Sequence, residues 1–166
     1  VRTAYHEAGH ALVAMHYVHI SSLGIERKVK YGSLTFTKLK GWIRFSRGSE
    51  VTVEENILIE LAGPAAESMC PVGPGRDFYT ASMLDIEKID KGLKGILTGA
   101  ERGAYLATCR ERVERMLKQH WPEVKAVAKA LLEKKRLTGA MAEKIAAEVW
   151  QKERSTQRPS FRLTNR

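Results

Sequence analysis

The chain has 166 residues, 43% of them hydrophobic, and a formal net charge of +9 at pH 7. Such a chain can bury the core of one domain, and its recurring apolar residues exclude a disordered protein. No apolar run approaches the ~20 residues that a membrane-spanning helix needs. The two cysteines, Cys70 and Cys109, form no CxxC pair typical of a zinc knuckle or a redox dithiol. Helical spacing around Cys109 predicts a buried thiol.

The basic excess lies entirely in the second half of the chain. Residues 1–93 contain 11 Lys/Arg and 11 Asp/Glu, whereas residues 94–166 contain 17 Lys/Arg and 8 Asp/Glu. A basic surface can attract nucleic acid, acidic lipid or an acidic protein. However, this half contains no nucleic-acid motif, and solvated helix faces are the commoner origin of such charge. We therefore do not expect a nucleic-acid partner.

The first two segments predict a helix followed by a small sheet. Residues 3–19 indicate one helix, because small and apolar residues recur at spacings of three and four: Ala4, Ala8, Ala11, Leu12 and Met15. Residues 23–46 alternate, contain β-branched and aromatic residues, and are punctuated by Gly32 and Gly41. This pattern predicts an antiparallel sheet of two or three strands.

The remaining segments are predicted to be helical, so the expected fold class is mostly α (α+β). Residues 51–69 have helical periodicity, and Pro64 should bend or restart that helix near Gly63. After a loop rich in proline and glycine at 70–79, helical spacing runs from residue 82 to residue 152. Three breaks interrupt it: near Gly99, at His120–Pro122 and at Leu137–Gly139. We expect one domain over 1–152 and a basic, flexible tail over 153–166.

The sequence HEAGH, residues 6–10, indicates a metal site on the first helix. Because His6 and His10 are four residues apart, both imidazoles lie on one helix face and can bind one Zn²⁺. Glu7 cannot point straight at that metal, but it can take a proton from water that zinc has acidified. Passing this proton to a leaving amine would complete peptide-bond hydrolysis. The alternative is a core histidine beside a surface ion pair.

Other residues near this motif have simpler interpretations. Gly9 inside a helix costs about 1 kcal/mol relative to alanine, so we expect another backbone to pack closely against it. His16 and His19 do not share the face of His10 and should point to solvent. His120 has no assigned role.

A catalytic zinc needs a third protein ligand and an open fourth position. The acids that could supply the ligand are Glu67, Asp85, Glu87 and Asp90. The last three acids lie on one predicted helix. Its buried stripe is predicted to consist of Ile86, Ile89, Leu93 and Ile96. Asp85 and Asp90 flank this stripe, Glu87 points away from it, and Glu67 falls away from the stripe of its own helix. The pattern favours Asp85 as the third ligand. The alternative interpretation is that Asp85 is a solvated residue at a helix start, where the helix dipole stabilises its charge.

Four separated segments together resemble a known family. They are RTAYHEAGHALVA, LAGPAAE, LDIEKI and LLEKKRLTG, which span about residues 2–149. In order and spacing they resemble the protease domain of the FtsH and paraplegin type of ATP-dependent zinc metalloproteases. The resemblance implies a helical zinc-metallopeptidase domain with a small β-element. It also implies zinc held by His6, His10 and Asp85, with Glu7 as the catalytic base. Pro64 departs from the family, which usually has arginine there.

The resemblance also implies a function and partners. The expected activity is that of a zinc-dependent endopeptidase acting on unfolded or loosely folded protein; the alternative is an inactive interaction or assembly module. Family members form hexameric rings, carry an AAA+ ATPase domain, and are anchored in a membrane with the protease on the cytoplasmic side. Neither anchor nor ATPase occurs in these residues, so an ATPase would lie outside this sequence or act as a separate partner. Residues 33–46 are expected to bind an extended peptide along a strand edge, unless the sheet only covers the core.

Overall fold

The computed structural model describes the backbone of residues 1–29, 37–72 and 78–157, with side chains except at 27–29, 37–40, 78–84 and 157. These residues form six helices and three strands. In chain order they are α1 (Arg2–Ala14), β1 (Ile20–Val29), β2 (Thr37–Phe45), α2 (Val53–Met69), α3 (Phe78–Leu93), α4 (Gly99–Gln119), α5 (Trp121–Lys134), β3 (Arg136–Thr138) and α6 (Gly139–Gln157). The predicted fold class, mostly helical with a small antiparallel sheet, is confirmed.

The sheet has the order β2-β1-β3, and both pairings are antiparallel. β1 and β2 come from the segment in which strands were predicted. The third strand comes instead from residues 136–138, where the sequence indicated only a break between helices. Leu137 lies opposite Leu23 and both are fully buried, so tertiary packing turns this break into a strand. β2 is at the edge of the described sheet.

α1 lies at the centre of the core, where it packs against α2 and α5. Ala4, Ala8 and Ala11 are fully buried. A Cβ atom on Gly9 would lie 2.5 Å from the carbonyl oxygen of Ala62. The predicted close approach of a second backbone is therefore confirmed, and it comes from α2.

Several helices differ from the prediction in their ends or their continuity; α3, for example, begins at Phe78 and not near residue 82. α1 ends at Ala14, not at residue 19, because the amides of His16 and Tyr17 bond three residues back and close the last turn. α2 begins with a capping box of Thr52 and Glu55. It runs through Pro64 without a restart, because buried residues hold it in the core both before the proline, at 61–63, and after it, at 66–67. α6 continues over residues 153–157 of the predicted tail, and residues 158–166 lie outside the described part.

Two further sequence expectations concern a cysteine and the apolar length of the helices. Cys109 is buried with a free thiol, as predicted. None of the helices described in this structure is long and apolar enough to cross a bilayer.

Candidate metal centre

Three side chains from α1 and α3 meet in the interior. His6, His10 and Asp85 are each 5% exposed or less. The Nε2 atoms of the two histidines lie 3.0 Å apart. The Oδ2 atom of Asp85 lies 3.0 Å from Nε2 of His6 and 3.5 Å from Nε2 of His10. Among the described residues, this is the only group of three or more side chains arranged to hold a metal ion.

The other nitrogen of each ring fixes which atoms face this centre. Nδ1 of His10 is 2.6 Å from the carbonyl oxygen of Ile59, which can only accept a hydrogen bond, so the proton is on Nδ1. Nδ1 of His6 donates in the same way to Oε2 of Glu67 at 3.1 Å. In its neutral form, each ring therefore presents the lone pair of Nε2 to the centre.

The three facing atoms fit a divalent metal ion. The Oδ2 atom of Asp85 is buried and has no hydrogen bond of good geometry among the described residues. Three electron-pair donors thus lie 3.0–3.5 Å apart. Donors at 2.0–2.2 Å from a tetrahedral zinc are about 3.3 Å from one another. Two imidazoles and one carboxylate are also a donor set found in catalytic zinc sites.

The pKa values of His6 and Asp85 are shifted in the directions that favour a positive charge at the centre. Burial alone lowers the pKa of His6, but hydrogen bonds to Asp85 and Glu67 and the nearby charge of Glu7 raise it to about 9. Burial alone raises the pKa of Asp85, but His10 and His6 hold it well below its usual range. A proton on His6 supplies the positive charge when no metal does.

Glu67 lies behind the centre, contrary to the prediction that it falls away from the buried stripe. It is 5% exposed. Besides the bond from His6, its Oε1 accepts a hydrogen bond from Nε of Arg2 at 3.0 Å. Burial alone raises the pKa of Glu67, but these two partners lower it below its usual value. The prediction was wrong because α2 packs against α1, α3 and α4 and so has more than one buried face.

The face of α3 that carries Asp85 was only partly predicted. Ile89 and Leu93 are buried, but Ile86 is 50% exposed and Ile96 lies beyond the helix end at 59% exposed. The buried face therefore follows positions 85, 89 and 93, which places Asp85 on the face itself and not at its edge. Of the other acids, Glu87 and Asp90 are exposed, and Asp90 pairs with Arg102.

Lys88 holds the outer oxygen of Asp85, a contact that the sequence analysis missed. Its Nζ lies 3.3 Å from Oδ1 of Asp85 and donates to Oε2 of Glu60 at 2.8 Å. Lys88 follows Asp85 by three residues, and this helical spacing is the signal that could have found it.

Glu7 lies beside the centre, against the edge strand. It is 5% exposed, and a Cβ atom on Gly41 of β2 would collide with its carboxylate. Burial raises the pKa of Glu7, although His10 and His6 act to lower it. A Cβ atom on Gly63 of α2 would likewise collide with the ring of His10. Both glycines give the site its shape, and single-sequence reasoning assigned them no such role.

Comparisons of this chain with models of known protein families and with curated proteins find no match. The resemblance to the FtsH and paraplegin type of protease therefore stays a prediction that depends on the four segments quoted above.

Proposed function

We propose that this chain is a zinc-dependent endopeptidase that hydrolyses peptide bonds in unfolded or loosely folded protein. The observation that supports this best is the convergence of Nε2 of His6, Nε2 of His10 and Oδ2 of Asp85 beside a buried glutamate. Two histidines and one carboxylate leave one position of a tetrahedral site open, which is typical of catalytic zinc and not of structural zinc.

Each residue of the centre has a distinct role in this proposal. Zinc in such a site acts as a Lewis acid, which acidifies water to a pKa of about 7 and polarises a substrate carbonyl. The Glu7 carboxylate takes the proton from the attacking water and gives it to the leaving amine. Its burial raises its pKa, which brings it closer to the working pH of a general base. Glu67 and the Ile59 carbonyl keep both rings in the tautomer that binds metal.

β2 is the proposed substrate strand. Within the described residues it pairs with β1 on one side only, and Gly41 brings its backbone directly against Glu7. An extended peptide that pairs with the free edge of β2 would run past the general base. Of the predicted segment 33–46, residues 37–45 form β2 and residues 33–36 lie outside the described part. An ATPase partner and a hexameric ring remain predictions from the resemblance.

The proposal is tested by metal content and by cleavage of casein. We expect about one zinc per chain, and we expect a chelator to abolish cleavage and added zinc to restore it. Glu7→Gln should keep the zinc but lower the cleavage rate by about 10²–10⁴-fold, the usual contribution of a general base. Glu87→Gln is the matched control, because Glu87 is an exposed glutamate on α3. Zinc binding without cleavage in the wild type would favour the inactive assembly module.

A further inference from the structure

The chain has five histidines, and two of those outside the metal centre meet each other. His16 follows the end of α1, and His120 joins α4 to α5. Their ring centroids are 5.4 Å apart with an interplanar angle of 65°. The rings of His6 and His10 are closer, with 4.6 Å and 82°, and their Nε2 atoms lie 3.0 Å apart. Two imidazoles bound to one tetrahedral ion have centroids roughly 5 Å apart, given nitrogen–metal distances of 2.0–2.1 Å.

The Nδ1 atom of each ring is anchored as in the metal centre. Nδ1 of His16 donates to the carbonyl oxygen of Leu12 at 2.9 Å, and Nδ1 of His120 lies 3.3 Å from Oε1 of Glu123. In the described part of the chain, neither Nε2 atom has a hydrogen-bond partner. Histidines that bind metal are oriented in this way, by an outer carbonyl or carboxylate on the nitrogen that does not bind.

A buried carboxyl group lies next to this pair. Glu123 is 2% exposed, and its Oε2 atom has no hydrogen-bond partner within the described ranges. The carboxylate thus lies in the interior behind His120 with one oxygen unpaired. A carboxyl group in this position orients a ligating imidazole and increases its basicity toward a metal ion.

We propose that His16 and His120 form a second, weaker binding site for a transition-metal ion such as Zn²⁺, Cu²⁺ or Ni²⁺. The side chain of His120 is 27% exposed and His16 is exposed, so an ion can enter from solvent. With two protein ligands, the ion keeps water in its other positions and binds less tightly than in the His6–His10–Asp85 centre. A bound ion links the end of the metal-centre helix α1 to the α4–α5 junction and stabilises the fold.

The test is a calorimetric titration of Zn²⁺ into protein that already contains one equivalent. We expect a second, weaker equivalent in the wild type, whose affinity falls at least ~10-fold in His16→Ala and in His120→Asn, because even outer-shell changes cost about this much. His19→Ala is the control and should bind like the wild type, since His19 lies against Glu143 and, among the described residues, has no ring contact with His16 or His120. Mg²⁺ should give no signal, because it prefers oxygen ligands.

Two controls are needed, one for folding and one for zinc in the His6–His10–Asp85 centre. His120 precedes α5 and contacts Glu123, so His120→Asn can lose stability, whereas His16 is exposed. Thermal unfolding without metal identifies any variant that does not fold. Excess zinc should raise the melting temperature of the wild type and of His19→Ala further than that of His16→Ala, in which only the His6–His10–Asp85 centre binds the ion. If the His6–His10–Asp85 centre holds no zinc, the same weak equivalent and the same loss in His16→Ala are expected in the metal-free chain. No weak equivalent in the wild type, or one that persists in both variants, would overturn the proposal.

Discussion

Two glycines leave room for the two functional side chains, Glu7 and His10. A side chain at Gly63 would collide with the ring of His10, and one at Gly41 would collide with the carboxylate of Glu7. We expect Gly63→Ala to lower zinc affinity by about 10-fold or more, because even outer-shell changes have this effect. Gly41→Ala should instead keep the zinc and lower casein cleavage by about 10²-fold, the cost of misplacing a reacting group by ~1 Å.

The control for this pair is Gly103→Ala. Gly103 lies on α4 with open space around it, so alanine there should leave both zinc affinity and cleavage unchanged. Zinc affinity is measured by competition with a chelating dye, and cleavage is measured on zinc-loaded protein. If Gly41→Ala releases zinc as readily as Gly63→Ala does, the separation of base and ligand roles is wrong.

Glu67 is expected to act on the metal through His6. Glu67→Gln preserves the shape of the side chain and an acceptor oxygen but removes the charge that faces Nδ1 of His6 and Nε of Arg2. We therefore expect zinc affinity to fall by about 10–100-fold, while saturating zinc restores most of the cleavage rate. Glu87→Gln serves as the exposed control. Unchanged zinc affinity in Glu67→Gln would mean that the carboxylate only pairs with Arg2.

At the scale of elements, the contact between α1 and α2 depends on Gly9. A Cβ atom there would lie 2.5 Å from both the Ala62 carbonyl oxygen and the Ala66 Cβ atom, so the two helices would have to move apart. We expect Gly9→Ala to lower the free energy of unfolding by about 1–3 kcal/mol, the usual cost of overpacking a core. Alanine forms helices better than glycine by about 1 kcal/mol, so without the close packing Gly9→Ala would raise the free energy of unfolding. The sign of the change therefore tests the packing.

The measurement is urea unfolding of Gly9→Ala beside Gly103→Ala. Both positions are inside helices, but only Gly9 faces another backbone. Gly103→Ala should therefore be as stable as the wild type or more stable. Equal gains in both variants would show that α1 and α2 have room for a methyl group.

Local spacing predicted those elements and residues whose partners are close in sequence. His6 and His10 are one turn apart, so helical periodicity was enough to pair them. For Asp85, periodicity gave only a preference, because the predicted stripe wrongly included Ile86 and Ile96, and the family resemblance was what implied this residue. β3 and the role of Glu67 depend on partners more than 60 residues away, Leu23 for β3 and His6 for Glu67. The predicted restart at Pro64 was wrong for a related reason, because burial of α2 outweighs a local helix-breaking tendency, while the predicted bend stays a prediction.

At the scale of the whole molecule, the centre joins three helices, which also meet by packing and by the ion pairs Arg2–Glu67 and Lys88–Glu60. The ligand atoms come from α1 and α3, and α2 supplies the Ile59 carbonyl and Glu67 behind the rings. Charge within this buried cluster must therefore be balanced for the three helices to stay together. In the metal-free chain, the balance is provided by a proton on His6, opposite Asp85 and Glu67.

This balance predicts that the stability of the metal-free chain depends on pH above neutrality. The pKa of His6 is raised from 6.5 in the unfolded chain to about 9 in the folded chain. Its stabilising contribution is therefore complete below pH 6.5 and is lost as pH rises through 9. We expect the free energy of unfolding of the metal-free chain, measured in urea, to fall between pH 6.5 and pH 9.

Zinc should remove this dependence, because a metal ion then supplies the charge that the proton supplied. At pH 9 the zinc-loaded chain should be more stable than the metal-free chain by RT ln(1 + [Zn]/Kd), about 2.7 kcal/mol at a zinc concentration of 100 Kd. Zinc binding at pH 7.5 should also release about one proton, measured by calorimetry in buffers of different ionisation enthalpy. Asp85→Asn removes the main partner of the His6 proton and should flatten the metal-free profile. A wild-type profile that is already flat between pH 6.5 and 9 would show that His6 is neutral without metal, and the three lone pairs would then need another source of positive charge.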